Sequence, residues 1–179
     1  MSILKKMTKD EVTPEVRAIF EQVGRDRGNV PNMFRVAAQR PEHMRTMIAH
    51  FGVVMNQGTV SPLLKELVTC LVSRRNACTY CLRSHTVLAG KLGATEAQLE
   101  ALPDFETGPF TDAEKAALAW SDRVNGRSTQ VDDELVARVR RHFDEGQIVE
   151  ITMVVGLFNY FNRFNNALRL EPTQPGEGL

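Results

Sequence analysis

Cysteine is scarce in this chain. There are three in 179 residues, an odd and low number that excludes the paired disulfide framework of a small secreted domain. A surplus of charge is missing too. The 22 basic residues are matched by 22 acidic ones, so nothing calls for nucleic acid or an anionic membrane surface as a partner. No segment approaches the roughly 18 uncharged apolar residues that would suggest a membrane span. The opening stretch MSILKKMTKDEV is charged and lacks a long apolar run, which is not the pattern of a secretory leader. Strand signals are nearly absent, and no internal repeat stands out. The expected setting is a reducing cytoplasm, where a close cysteine pair is more often catalytic or metal-binding than structural. At this length one domain, residues 1–179, is expected, with a real core.

What the chain does have is concentrated in residues 66–85, ELVTCLVSRRNACTYCLRSH. Cys78, Cys81 and His85 stand at i, i+3 and i+7, which puts all three on one face of a helix. A thiol pair at this spacing can close a disulfide, and a base one turn beyond the second thiol can take its proton. The thiolate is the nucleophile, and an unperturbed cysteine, with a pKa of about 8.5, is only a few per cent ionised at neutral pH. His85 is one means of raising that fraction. Glu66 lies on the preceding segment, where it can orient His85 or carry the proton onward, as the third member of an activated nucleophile does. Two readings compete: a zinc site from Cys78, Cys81, His85 and Glu66, and a pair of inert buried thiols. Structural zinc usually takes two close ligand pairs, and Cys70 makes no second pair. Neither reading explains why His85 shares the thiol face. The expectation is a dithiol redox protein with no bound metal or cofactor.

Helix signals follow one another along the chain. Thr13-Pro14 opens the first helix, expected to end near Gly24. Pro31 opens a short one and Pro41 a longer one, whose Met44, Met47, Phe51 and Met55 read as adaptable core. Ser61-Pro62 opens the helix that holds Glu66. Leu63, Leu64, Leu67, Val68, Leu71 and Val72 make it apolar on most sides and hence buried, and a buried carboxylate must be paired or protonated. The competing reading places Glu66 on a solvent-facing strip with Lys65 and Thr69. Cys70 reads as a small buried residue. Asn76 is expected to cap the next helix, which places Cys78 in the first turn, where the dipole lowers a thiol pKa. Cys81 lies a turn deeper, nearest His85, so the residues alone leave open which sulfur attacks. Gly93 ends that helix, and T-x-x-Q at 95–98 and T-x-x-E at 111–114 are capping boxes. Asp132 or Asp133, then Asp144, open the last two helices. The final one contains ITMVVGLF, apolar on all sides, a core helix or a subunit interface. Asn159, Asn162, Arg163, Asn165 and Asn166 crowd its end. Asparagine is a mediocre helix former, so a use for these amides is expected, and Arg163 is a candidate partner for Glu66. The tail EPTQPGEGL is expected to fray.

The pattern of Glu66, Cys78, Cys81 and His85 resembles the AhpD-like alkylhydroperoxidases of the carboxymuconolactone decarboxylase superfamily. The resemblance extends through AGKLGAT at 89–95, with GNVPNMF at 28–34 and FNYFNRFNNAL at 158–168 similar to its peroxidase-related branch. Where some members carry a histidine before the second cysteine, this chain has Tyr80. The resemblance implies an all-α, single-domain fold of about eight helices, with the redox motif core at about 45–125. It implies that Cys81 attacks a hydroperoxide, that Cys78 resolves the product, and that a lipoylated protein or similar dithiol restores both. It also implies a homo-oligomer, a trimer or hexamer. Three alternatives stand beside it: a decarboxylase or lactone-ring enzyme, a general thiol-disulfide oxidoreductase, and a non-enzymatic oligomeric stress protein.

Overall fold

Six helices begin on a side-chain oxygen that accepts an N–H of the first turn, supplied by Thr13, Ser61, Thr95, Thr111, Asp132 and Asp144. Three of these starts are full capping boxes, Thr95 with Gln98, Thr111 with Glu114, and Asp144 with Gln147. Each satisfies two donors that the helix geometry otherwise leaves orphaned. The computed structural model describes residues 2–179. In chain order the helices are α1 (Pro14–Arg27), α2 (Asn32–Ala37), α3 (Pro41–Asn56), α4 (Pro62–Arg75), α5 (Thr79–Lys91), α6 (Glu96–Ala101), α7 (Asp112–Arg127), α8 (Asp133–Arg140) and α9 (Glu145–Ala167). There is no strand among the described residues. The protein is therefore all-α, and no described helix is long and apolar enough to cross a membrane.

Helix α4 is the axis of the molecule. Every residue from Leu64 to Ser73 is buried, as a helix apolar on most sides requires. It packs against α5, α7 and α9. The solvent-facing strip through Lys65, Glu66 and Thr69 does not exist, because neighbouring helices cover that side too. Lys65 is only 2% exposed. Its ammonium donates to the Val54 carbonyl at 2.9 Å and lies 3.1 Å from Glu150 Oε2 on α9. Glu150 also accepts the N–H groups of Thr59 at 2.8 Å and Val60 at 3.0 Å. One half-buried ion pair thus ties the α3–α4 turn to α9.

Three boundaries differ from the sequence expectation. Helix α1 continues to Arg27 and ends at Gly28, whose φ of 71° is the left-handed cap. Gly24 lies inside the helix, where a β-carbon would come within 2.8 Å of Leu179, so it serves packing rather than termination. Asn76 is the C-cap of α4, not the N-cap of α5. The chain turns through Ala77 at φ 50°, and Cys78 itself takes the N-cap position. The tail is docked rather than frayed. Thr173 Oγ1 accepts the Asn32 N–H at 2.8 Å, and Glu177 accepts from Arg35 and Lys6 at 3.1 and 3.0 Å. Lys6 and the Asn32 and Arg35 donors of α2 supply partners that a tail read alone cannot show.

Candidate active site

Three helices meet at the site. The close packing of α4 against α5 brings Glu66 to His85, with Glu66 Oε2 at 2.6 Å from Nδ1. An ionised carboxylate only accepts, so Nδ1–H donates and Nε2 is left as the free acceptor of the ring. The pair is almost wholly buried. The ring packs edge-on to Phe158, centroid to centroid 4.7 Å, with Phe51 on another side at 6.5 Å. Burial makes the contact obligatory, since either group alone lacks water to solvate it.

The dithiol sits at the start of α5. Cys78 is 1% exposed and Cys81 3%, and both are free thiols. The Cys78 N–H donates to the Ser73 carbonyl at 2.8 Å, which locks the turn between α4 and α5. The Cys78 thiol is brought down to about 7. The Cys81 S–H donating to its sulfur contributes most, with the N–H groups of Cys81 and Tyr80 and the Asn162 amide adding to it against the opposing effect of burial. Cys81 is pushed the other way. Its hydrogen bond to Cys78 keeps the proton in place, burial disfavours the anion, and the Cys78 charge repels a second one. The pair therefore holds one negative charge readily and two with difficulty. Cys70 stays apart from this chemistry, its thiol pushed up to about 12 by burial.

Helix α9 completes the surroundings with amides. Asn165 Nδ2 donates to Cys81 Sγ at 3.2 Å. Asn162 donates to Ser73 Oγ at 3.1 Å and accepts from Asn76 at 3.0 Å. Asn166 donates to the Asn76 carbonyl at 2.9 Å, and Asn159 to Asn125 at 2.8 Å. This network explains the asparagine crowding in the sequence. It also explains why Asn76 does not cap α5, since its side chain is spent on Asn125 and Asn162. Arg163 does not reach Glu66. It is exposed and donates to the Asn159 carbonyl one turn back at 3.0 Å. The Tyr80 side chain donates nothing to the thiols. Its buried hydroxyl accepts the Met33 N–H and shares a hydrogen bond with Thr173, each at 3.2 Å.

Glu66 and His85 thus pair where α4 meets α5, and Cys78 and Cys81 lie at the start of α5, with His85 four residues beyond Cys81. The contribution of Asn162 and Asn165 is visible in the sequence only as an excess of amides. Among the described residues no group of three or more His, Cys, Asp or Glu side chains is arranged to hold a metal ion.

Known proteins share this framework. The model of the carboxymuconolactone decarboxylase family matches residues 41–123. The uncharacterised protein YdfG of Bacillus subtilis (strain 168) is 34% identical over 130 residues, which are 72% of this chain and 88% of that one. The crystal structure of an uncharacterised peroxidase-related protein from Silicibacter sp. TM1040 is 25% identical and superposes with a TM-score of 0.86, covering 97% of this chain and 95% of that one. The debrominase Bmp8, as a cysteine-to-alanine variant in complex with 2,3,4-tribromopyrrole, shares the fold at 19% identity and a TM-score of 0.82, with 98% and 96% covered. The chain belongs to the AhpD-like carboxymuconolactone decarboxylase superfamily.

Proposed function

We propose that the protein is a thiol-dependent peroxidase that reduces an organic hydroperoxide at the Cys78–Cys81 dithiol. The observation that carries this reading is the buried His85–Glu66 pair at 2.6 Å, one helical turn beyond Cys81 and on the thiol face of α5. His85, held by Glu66, takes the Cys81 proton through its free Nε2, directly or through one water. The Cys81 thiolate attacks the terminal peroxide oxygen. An S–O bond forms and the O–O bond breaks. Sulfur gives up two electrons and becomes sulfenic acid, and the departing alkoxide takes a proton from His85 and leaves as the alcohol. The Cys78 thiolate then attacks the Cys81 sulfur, closing the disulfide with loss of water. An external dithiol of lipoyl type returns two electrons and two protons by exchange. No metal or bound cofactor takes part. The working assembly is a homo-oligomer, a trimer or hexamer, in the cytoplasm.

One observation favours a second order of events. Cys78, not Cys81, carries the lowered thiol pKa, so Cys78 is the sulfur that attacks in this alternative. The overall electron balance is the same in both.

The test is consumption of cumene hydroperoxide by the pure protein with dihydrolipoamide as donor. Turnover that vanishes on alkylation of the pair supports the peroxidase. Absence of turnover, together with dithiol-driven reduction of protein disulfides or of a halogenated aromatic, replaces it with a different dithiol oxidoreductase.

A further inference from the structure

Asn165 is 1% exposed, yet only half of its carboxamide is used. Nδ2 donates to Cys81 Sγ at 3.2 Å, while Oδ1 is buried and has no hydrogen-bond partner. Buried acceptors are rarely left this way in folded proteins, and one on a side chain that donates to a reactive sulfur is placed to receive a group that forms there during function. The neighbouring amide shows the contrast. Asn162, one turn earlier on α9, is equally buried, and its Oδ1 is taken by Asn76 and its Nδ2 by Ser73. Two buried side-chain atoms lack a partner among the described residues, Thr69 Oγ1 and Asn165 Oδ1, and only the second belongs to a side chain that donates to Cys81.

A carboxamide beside sulfur has a property that no other uncharged side chain of this size offers. It can donate to a thiolate and, from the adjacent atom, accept from an O–H. The sulfenic acid formed when a hydroperoxide oxidises Cys81 presents such an O–H, one bond further from Cβ than the sulfur. We propose that Asn165 is a further catalytic residue of this site: its N–H holds the Cys81 thiolate, and its Oδ1 accepts the sulfenic O–H, keeping that intermediate in place until Cys78 closes the disulfide. The inference rests on the peroxidase reading above for its second half only. The first half concerns the thiolate and needs no peroxide. The step itself adds nothing to the electron balance. The hydroperoxide oxidises sulfur by two electrons, and Asn165 makes and breaks only hydrogen bonds.

The experiment uses full-length protein carrying Cys78→Ser, which removes the resolving thiol, and the same protein with Asn165→Leu or Asn165→Asp added. Aspartate is isosteric with asparagine, leucine has the same number of heavy atoms but more bulk, and thermal unfolding identifies any variant that is not folded. Two quantities are read on the folded variants. The first is the pH profile of Cys81 alkylation by iodoacetamide. The second is the rate of formation and the lifetime of Cys81 sulfenic acid after cumene hydroperoxide, trapped with dimedone. Asn165→Leu is expected to raise the apparent thiol pKa by about 1 and to slow sulfenic acid formation at pH 7 about tenfold. It should also hasten further oxidation to sulfinic acid. Asn165→Asp, which brings a like charge to the thiolate, is expected to raise the thiol pKa further. Alkylation profiles that superimpose on the parent overturn the thiolate half. An unchanged sulfenic acid lifetime overturns the second half. If the parent itself forms no sulfenic acid at Cys81, the peroxidase reading and the second half fall together, while the alkylation profile still decides the first.

Discussion

His85 Nδ1 and Glu66 Oε2 meet at 2.6 Å across the interface of α4 and α5. Glu66 belongs to the most deeply buried helix of the protein and His85 to the helix that carries the dithiol. The carboxylate therefore fixes the tautomer of the imidazole and leaves Nε2 as its free acceptor. The pair holds a base at a defined position without exposing it to solvent.

If that base serves Cys81, His85→Ala should leave a folded protein that reduces hydroperoxide about a hundredfold more slowly at neutral pH. The loss should shrink as pH rises, because hydroxide then ionises the thiol unaided. Glu66→Gln keeps a hydrogen bond to the ring and should show a milder version. The check is a pH profile of peroxide reduction for the three proteins, normalised to folded material. Superimposable profiles would reduce His85 to a packing residue.

Thiol counting separates the three cysteines. Cys70 is held protonated by burial, with its pKa pushed up to about 12, and its sulfur makes a 4.0 Å contact with the Thr86 hydroxyl. Treatment with one equivalent of hydroperoxide is expected to remove two thiols of three, with Cys70 still free on unfolding and alkylation. Peptide mapping should then find Cys78 joined to Cys81. Three free thiols after oxidation would remove the resolving role of Cys78.

The clamp between Lys65 and Glu150 is a matter of stability. Glu150→Ala leaves the Lys65 ammonium with only the Val54 and Gln57 carbonyls and takes the acceptor from the Thr59 and Val60 N–H groups, a loss of about 2 kcal/mol. Gly58→Ala should also destabilise. Its φ is 96°, and a β-carbon there would collide with the Glu150 carboxylate. Burial opposes ionisation of Glu150, but the N–H groups of Thr59 and Val60 and the Lys65 ammonium outweigh it, and its pKa lies below the ordinary 4.5. A depressed carboxylate contributes stability that is fully present above its unfolded value and lost as pH falls through the folded one. Denaturant midpoints from pH 7 down to pH 3 should therefore fall more steeply below pH 4.5 in the wild type than in Glu150→Gln.

Much of this is legible in the chain because it is local. Capping boxes, proline starts and the i, i+3, i+7 spacing are written within a few residues, and the helices follow them. The burial of Glu66 is legible in part, since its helix is apolar on most sides, but Lys65, Glu66 and Thr69 read equally as a polar strip until the neighbouring helices are seen to cover it. What escapes depends on partners distant in sequence. Asn76 looks like a helix start until Asn125 and Asn162 claim its side chain. The tail looks disordered until Arg35, Asn32 and Lys6 are found beneath it. Arg163 looks free to seek an acid, but it points out from α9. Lys65 gives no warning at all, because a lone lysine among leucines is equally the edge of a buried helix.

Val149, Met153 and Tyr160 leave apolar surface on α9 exposed, at spacings that share one side of the helix. With the trimers or hexamers that the family resemblance implies, association through this side is the expected use. Sedimentation at micromolar concentration should show a closed assembly, and Met153→Glu should weaken it. A stable wild-type monomer would reject the assembly.

The order in which the sulfurs act follows from where the single charge of the pair rests and where the base stands. Cys78 is the more acidic sulfur, near 7, chiefly because the Cys81 thiol donates to it. Its thiolate fraction should therefore fall as pH drops below about 7, and alkylation of Cys78 with it. Cys81→Ser keeps a donor, the hydroxyl, and should leave that midpoint close to 7. Cys81→Ala removes the donor and should raise it. Acidity alone does not make Cys78 the attacking group, since the more acidic thiolate is also the weaker nucleophile at full ionisation. In the proposed mechanism Cys81, four residues before His85, loses its proton to that base and becomes the stronger nucleophile when peroxide is present. Peroxide treatment should thus place sulfenic acid on Cys81 in Cys78→Ser at a rate close to that of disulfide formation in the wild type. In Cys81→Ser the remaining Cys78, though ionised at pH 7.5, should react with cumene hydroperoxide at least tenfold more slowly. Dimedone labelling followed by peptide mapping reads both. Rapid sulfenic acid on Cys78 in Cys81→Ser, with none on Cys81 in Cys78→Ser, would reverse the assignment and leave His85 to assist the second step, where the sulfenic oxygen departs as water.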